Sequence, residues 1–255
     1  MTDPLDPLAL AADAGRFVLE AGGETYRAEE TVVTLCRVWR YADPECFATP
    51  TGLMASVGEA GVSRSVVRRI KNRAVDLRRI ARLAAVVELA ELAAVGPDEF
   101  RDALAELDRD KPTPYPLVLL AAAGCAGAFS LLYGGVWRDA LAGSAVGVAI
   151  KLAADYVRGR RIPDFIVNIV GGAVATALSA AAVGSGLAVN LDKTVIGAIM
   201  QLVPGLATVN AIRDTIAGDL VAGVARLADA FMAAAAISLG AGAGLALVRA
   251  LGLGV

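Results

Sequence analysis

The second half of the chain sets the terms for any fold it can adopt. Five apolar stretches follow one another at about 116–134, 139–157, 164–186, 194–211 and 227–250. Each approaches the ~20 residues that a helix needs to cross a hydrocarbon layer ~30 Å thick. One such stretch could be a buried core helix. Five in succession, with few charges between them, predict a membrane bundle of about five transmembrane helices. The charges lie elsewhere: residues 1–115 hold 19 of the 26 acidic and 15 of the 24 basic side chains, so this part reads as water-soluble. The expected fold is mainly α. A cytosolic domain over 1–115, α-rich or α/β, precedes a polytopic transmembrane domain over 116–255, with the change near Pro112–Pro116.

Short-loop Arg and Lys residues favour the cytosolic side. With the first domain inside, cytosolic segments carry Arg109, Lys111, Arg158, Arg160, Arg161, Arg213 and Arg226, against Arg138, Lys193 and Arg249 on the other side. This bias predicts a cytoplasmic N-terminus and a C-terminus outside. The opening Met1-Thr2-Asp3-Pro4-Leu5-Asp6-Pro7 lacks the basic and apolar regions of a signal peptide, in keeping with that orientation. Cys36, Cys46 and Cys125 are an odd set, expected as reduced thiols. A net charge of −2 gives no pull toward nucleic acid. The chain has no histidine, the commonest general base and transition-metal ligand, and no Gly-x-Ser-x-Gly or phosphate-loop pattern. An enzyme is therefore the weaker reading, and neither a catalytic residue, a metal nor a cofactor is expected.

Within the first domain, residues 8–41 read as helix interrupted at Gly22–Gly23. The run 46–57 has turn residues in its middle and predicts two short strands. Residues 64–83 are dense in arginine and are expected on a helix continuing to about Val95, resting near anionic headgroups or acidic protein surfaces, or simply solvated with local ion pairs. Gly96-Pro97-Asp98 ends that helix and caps a short one over 98–109.

In the membrane part, Gly143-x3-Gly147, Gly240-x3-Gly244 and Gly171–Gly172 mark faces where helix backbones can approach closely. Lys151 and Asp155 share one face of the second stretch, where a charge must pair or meet water. Asn168 offers a hydrogen-bonding group in the third. Pro204–Gly205 should break the fourth, and Gln201, Thr208 and Asn210 surround that break with uncharged polar groups. Freed backbone at membrane depth survives only against protein or a water-filled cavity, a setting that many transporters use for substrate. Asp214 and Asp219 are a possible carboxylate pair.

Four segments resemble the bacterial threonine/serine exporter family, in particular its shorter five-helix members. These are Gly22-Gly23-Glu24-Thr25-Tyr26-Arg27-Ala28-Glu29-Glu30-Thr31; Thr49-Pro50-Thr51-Gly52-Leu53; the segment around Val75-Asp76-Leu77; and Leu202-Val203-Pro204-Gly205 with Asn210, Asp214, Gly218, Gly223 and Arg226. The resemblance implies export of a small polar metabolite across the inner membrane: threonine or serine, or a dicarboxylate such as succinate. It also implies a partner, a smaller membrane protein supplying a second half. Membrane lipid surrounds such a chain, and a homo-oligomer is a further possibility. The membrane argument and the motifs together give a candidate substrate path of Gln201, Pro204, Gly205, Thr208, Asn210, Asp214, Lys151 and Asn168. They also give a cytosolic motif of Gly23, Glu24, Arg27 and Glu30. The alternatives are a non-transporting membrane scaffold or regulator, and a membrane-bound hydrolase using Glu24, Glu29 or Glu30.

Overall fold

The computed structural model describes residues 6–59, 62–71, 73–92, 95–109 and 113–252. Residues 1–5, Lys111, Pro112 and Val255, on which parts of the terminal, boundary and orientation expectations rest, lie outside them. Two folded units emerge, neither continuous in sequence. The first comprises Met1–Lys111 with Leu206–Ala228, the second Pro112–Gly205 with Asp229–Val255.

The first unit begins with α1 (Pro7–Glu20), started by Asp6, whose carboxylate accepts from Leu8 N at 3.1 Å. Gly22 ends the turn with φ +83°, a left-handed conformation open to glycine at little cost. The chain then enters α2 (Thr25–Val38). An antiparallel sheet follows, in the order β1 (Ala42–Thr49), β2 (Gly52–Glu59), β3 (Val62–Arg69). Thus three strands form where two were expected, and the basic run is not one helix. Arg64, Arg68 and Arg69 lie on β3, and only α3 (Leu77–Glu91), capped by the Asp76 carboxylate, is helical. The reason is a period of two: Val66 is buried while Ser65 and Val67 are exposed. Arg64 and Arg68 reach back to Asp6 and Asp13 of α1, and Arg79 pairs with Asp108 at 2.8 Å while stacking over the Phe17 ring. Several of the basic groups are thus engaged in local ion pairs. The helix α4 (Pro97–Asp108) matches the short helix read from Gly96-Pro97-Asp98. Leu8, Phe17, Leu35, Leu53, Leu83 and Phe100 form the core between these layers.

The second unit contains α5 (Tyr115–Leu132), α6 (Trp137–Arg158), α7 (Asp164–Gly184), the short α8 (Leu191–Ile199), and most of α10 (Leu220–Ala250). Among the described residues, four helices are long and apolar enough to cross a membrane: α5, α6, α7 and α10. The stretch 194–211 is not a fifth continuous helix. It divides into α8 and α9 (Gly205–Ala217), and Pro204, which has no N–H to donate, stands at the division. The last span also begins earlier than 227. Gly218 (φ +97°) closes α9, and α10 starts two residues later, its polar Arg226 and Asp229 hiding those first turns from a hydropathy reading.

Small residues set the spacing within this unit. A Cβ at Gly147 would lie 2.6 Å from the Ala126 Cβ and 2.9 Å from the Ala122 carbonyl oxygen. Cβ atoms at Gly172, Gly240 and Gly244 would overlap the backbone oxygens of Ile237, Ile169 and Ala173. The glycine pairs noted in the sequence therefore lie at real α5–α6 and α7–α10 contacts, where backbone approach replaces the missing hydrophobic drive.

Candidate functional site

In the first unit, the two most distinctive sequence segments meet. The N-terminus of α2 presents Glu24 and Thr25, and α9 with the start of α10 brings Asn210, Arg213, Asp214 and Arg226. Asp214, fully buried, accepts from Thr25 N at 3.0 Å and from Thr25 Oγ1 at 3.1 Å, one carboxylate covering two donors at a helix start. Arg226 Nε lies 2.8 Å from Asp214 Oδ2, the oxygen that also accepts from Thr25 Oγ1, a close charge contact, while its Nη2 donates to Gly23 O at 2.7 Å. Asn210 Nδ2 donates to Gly22 O at 2.9 Å, and its buried Oδ1 has no hydrogen-bond partner among the described residues. Glu24 takes Arg213 at 2.6 Å on one oxygen and Arg27 at 3.3 Å on the other. Gly22–Gly23 thus serves a second purpose beyond ending α1: its carbonyls are acceptors for the α9–α10 segment.

The charges here shift titration in opposite senses. Burial pushes Glu24 upward, but its backbone hydrogen bond, the Arg213 hydrogen bond and the charges of Arg27 and Arg213 outweigh it, leaving Glu24 below its ordinary range. Burial raises Glu29, and the negative charges of Asp219 and Asp214 add to that against a hydrogen bond from Ala48 N. The stabilisation from Glu24 is therefore present above its ordinary pKa of 4.5 and lost as pH falls through the lower folded value. Glu24→Gln should cost thermal stability at neutral pH, and the gap from the parent should close on acidification below 4.5. Paired melting curves across that range check it; a gap that persists in acid would assign the loss to packing instead of charge.

In the second unit, a buried carboxylate organises one end. Asp139, near the start of α6, accepts from Val136 N (3.0 Å), Val189 N (2.7 Å), Asn190 N (2.9 Å) and Asn190 Nδ2 (2.8 Å). This anchors the start of α8 beside the start of α6. From there α8 runs nine residues, ~14 Å at 1.5 Å per residue, and stops. Gln201 follows, donating to Gly147 O at 3.0 Å and Ala198 O at 3.2 Å. Gly147 is ten residues into α6, ~15 Å along it, which is half the thickness of a ~30 Å hydrocarbon layer. If α6 spans the bilayer, the end of α8 falls near its middle. A cavity of about 240 Å³ beside it is lined by Met200, Val203, Pro204, Ile237 and Ser238.

The predicted path residues therefore divide. Gln201 and Pro204 lie at the end of α8 in the second unit, and Gly205 starts α9. Asn210 and Asp214 belong to the buried cluster of the first unit, as do Gly23 and Glu24. Thr208, half-buried on α9, lies between them in sequence. Lys151 pairs with Asp155 at 2.7 Å, and Asp155 also accepts from Tyr115 Oη at 3.0 Å. Lys151 is one turn beyond Gly147 on α6. Asn168 is half-buried on α7. Arg27 and Glu30 line a groove between α2 and α3. Absent from the sequence-derived list are Thr25, Arg226 and Asp139. The first two stand within the motifs themselves. Asp139 could have been found from its place three residues after Val136 at a helix start, the spacing of an N-terminal cap.

A threonine/serine exporter family model matches residues 9–248. A "Probable threonine/serine exporter" of Mycobacterium tuberculosis (strain ATCC 25618 / H37Rv) is 28% identical over 239 residues, covering 91% of this chain and 44% of that protein. The "Threonine/serine exporter" of Corynebacterium glutamicum is 24% identical over 247 residues, covering 93% and 50%. The chain thus spans about half the length of these curated relatives. No solved structure matches it. With the match running through both folded units, the chain belongs to the threonine/serine exporter family, a family of membrane transporters.

Proposed function

We propose that this chain forms the half of an inner-membrane exporter that carries the cytosolic domain and the broken helix, and that it moves small zwitterionic amino acids such as threonine or serine. The carrying observation is the end of α8 at Gln201. A helix that starts at one face and stops at half-depth exposes its last carbonyl groups, and in a bilayer such groups persist only beside protein or a polar path. Gln201 covers one of them, Ala198 O, and its Oε1 has no partner among the described residues. Carbonyl ends attract a cationic ammonium.

The cations favour an amino acid over a dicarboxylate. A dicarboxylate needs unpaired positive charge, but Lys151 is held by Asp155 and Arg213 by Glu24. The chain is proposed to cross the membrane five times, α8 and its non-helical continuation making the fourth passage. Arg158, Arg160 and Arg161 then lie on the cytosolic side with the N-terminus, and Val255 lies outside. A smaller membrane protein is proposed to supply the second half; the relatives are about twice the length matched here.

The test is efflux of L-threonine, L-serine and succinate from cells expressing the chain with and without a candidate second half, together with a reporter fused after Val255. Amino-acid efflux above background and an external reporter are expected. Succinate efflux alone would reverse the substrate assignment, and a cytosolic reporter would remove the fifth passage. No efflux of any of the three in the presence of the second half would favour the scaffold alternative.

A further inference from the structure

The groove between α2 and α3 in the first unit has a volume of about 430 Å³, and its walls carry charges of both signs. Arg27 stands on the α2 wall with Glu30, Thr31 and Tyr26, and Glu88 and Glu91 stand on the α3 wall. The floor includes the buried Leu83 and Val18. We propose that this groove is a regulatory site for a small α-amino acid, resting on the exporter reading and distinct from the passage at α8.

The chemistry follows from the lining. Arg27 is half-exposed, and its contacts to Glu24 and to Tyr26 Oη are both 3.3 Å, long for a charge-assisted pair. A guanidinium has five N–H donors in a planar fork, so Arg27 retains donors for a ligand carboxylate. Glu88 and Glu91 have no ion pair among the described residues, and with Glu30 they place negative charge where an ammonium can sit. Three carboxylates facing one guanidinium repel a dianion and accept a ligand with one charge of each sign. Thr31 Oγ1 donates to Arg27 O at 2.8 Å, which leaves its lone pairs free to accept from a ligand hydroxyl or ammonium.

The groove is wired to α9 by a single side chain. Glu24 divides its two oxygens between Arg27 and Arg213. A ligand carboxylate that draws Arg27 toward the groove leaves Glu24 to Arg213 alone. Occupancy therefore tightens the hold of the α2 N-terminus on α9, the helix that follows the Pro204 break in the chain. Coupling of this kind is reciprocal: whatever changes the Glu24–Arg213 pair also changes affinity in the groove.

The experiment is hydrogen–deuterium exchange on the full chain in lipid nanodiscs, titrated with L-threonine, L-threonine methyl ester, N-acetyl-L-threonine and succinate. Saturable protection of residues 26–34 and 83–91 is expected with threonine alone. Arg27→Ala should weaken its midpoint about tenfold or more, the loss of a charge-assisted hydrogen bond. The exposed Glu88→Gln, which removes no packing, should weaken it in the same direction and guards against an Arg27 variant that misfolds. Gln201→Leu should leave the groove response intact, so failure of the export reading and failure of this one are separable. Absence of protection at these two segments with threonine would overturn the proposal. So would equal protection by succinate or the methyl ester, or an unchanged midpoint in Glu88→Gln and Arg27→Ala.

Discussion

Arg226→Ala should destabilise the first unit more than any other single change considered, by about 3–5 kcal/mol, the range for removing one member of a buried ion pair. Arg226 and Asp214 are 8% and 0% exposed, so neither charge can turn to water once its partner is gone. Asp214 would keep its two Thr25 bonds but lose its counter-ion, and Gly23 O would lose its donor. Asp214→Asn should cost less, because the amide oxygen can still accept from Thr25. The double change Asp214→Leu with Arg226→Met removes both charges together and should be less harmful than the sum of Asp214→Leu and Arg226→Met made singly, since no lone charge stays buried. Thermal unfolding of purified protein, followed by fluorescence, measures the series. Strict additivity of the single losses would show that the pair is not energetically coupled, and the cluster would then be a set of independent contacts.

This cluster also shows where sequence reading reaches its limit. Gly22 to Thr25 and Asn210 to Arg226 were each legible as distinctive segments, but their contact spans 189 residues in the case of Thr25 and Asp214. Helical periodicity reports which face of a segment is apolar, not which distant segment covers it. Asn210 sits in a run apolar enough to read as membrane and Asp214 just beyond its end, and their burial against the α2 start is visible only in three dimensions. The third strand was hidden for a different reason. The inward positions of β3 include Arg64 and Arg68, which cover the core edge with their aliphatic stems while pairing with Asp6 and Asp13. An alternation test that counts arginine as solvent-facing cannot see such a strand. By contrast, the Gly22–Gly23 interruption, the start of α4, the glycine faces and the Pro204 break all follow from backbone chemistry local to those residues, and all appear where they were expected.

The local chemistry at Pro204 leads to the second large effect, on transport. Gln201 donates to Gly147 O and Ala198 O and so holds the last turn of α8 against α6 at the depth where the helix stops. Gln201→Leu keeps the bulk but leaves Ala198 O, at the open end of α8, without its donor, and deletes the Oε1 acceptor, while Gly147 O keeps its place in the α6 hydrogen-bond ladder. A stranded buried group costs about 1–3 kcal/mol. If the α8 end is part of the substrate path, threonine efflux per molecule should fall by about tenfold or more, since 1.4 kcal/mol is a factor of ten. Pro204→Ala acts differently: it restores an N–H and allows α8 to continue toward α9, closing the gap while leaving membrane insertion intact. Its efflux per molecule should also fall, with protein abundance unchanged. A break that is only a packing kink makes the opposite forecast, with abundance or assembly falling in step with efflux. Efflux normalised to the amount of protein in the membrane separates the two, and normal efflux per molecule in both variants would take the α8 end out of the transport path.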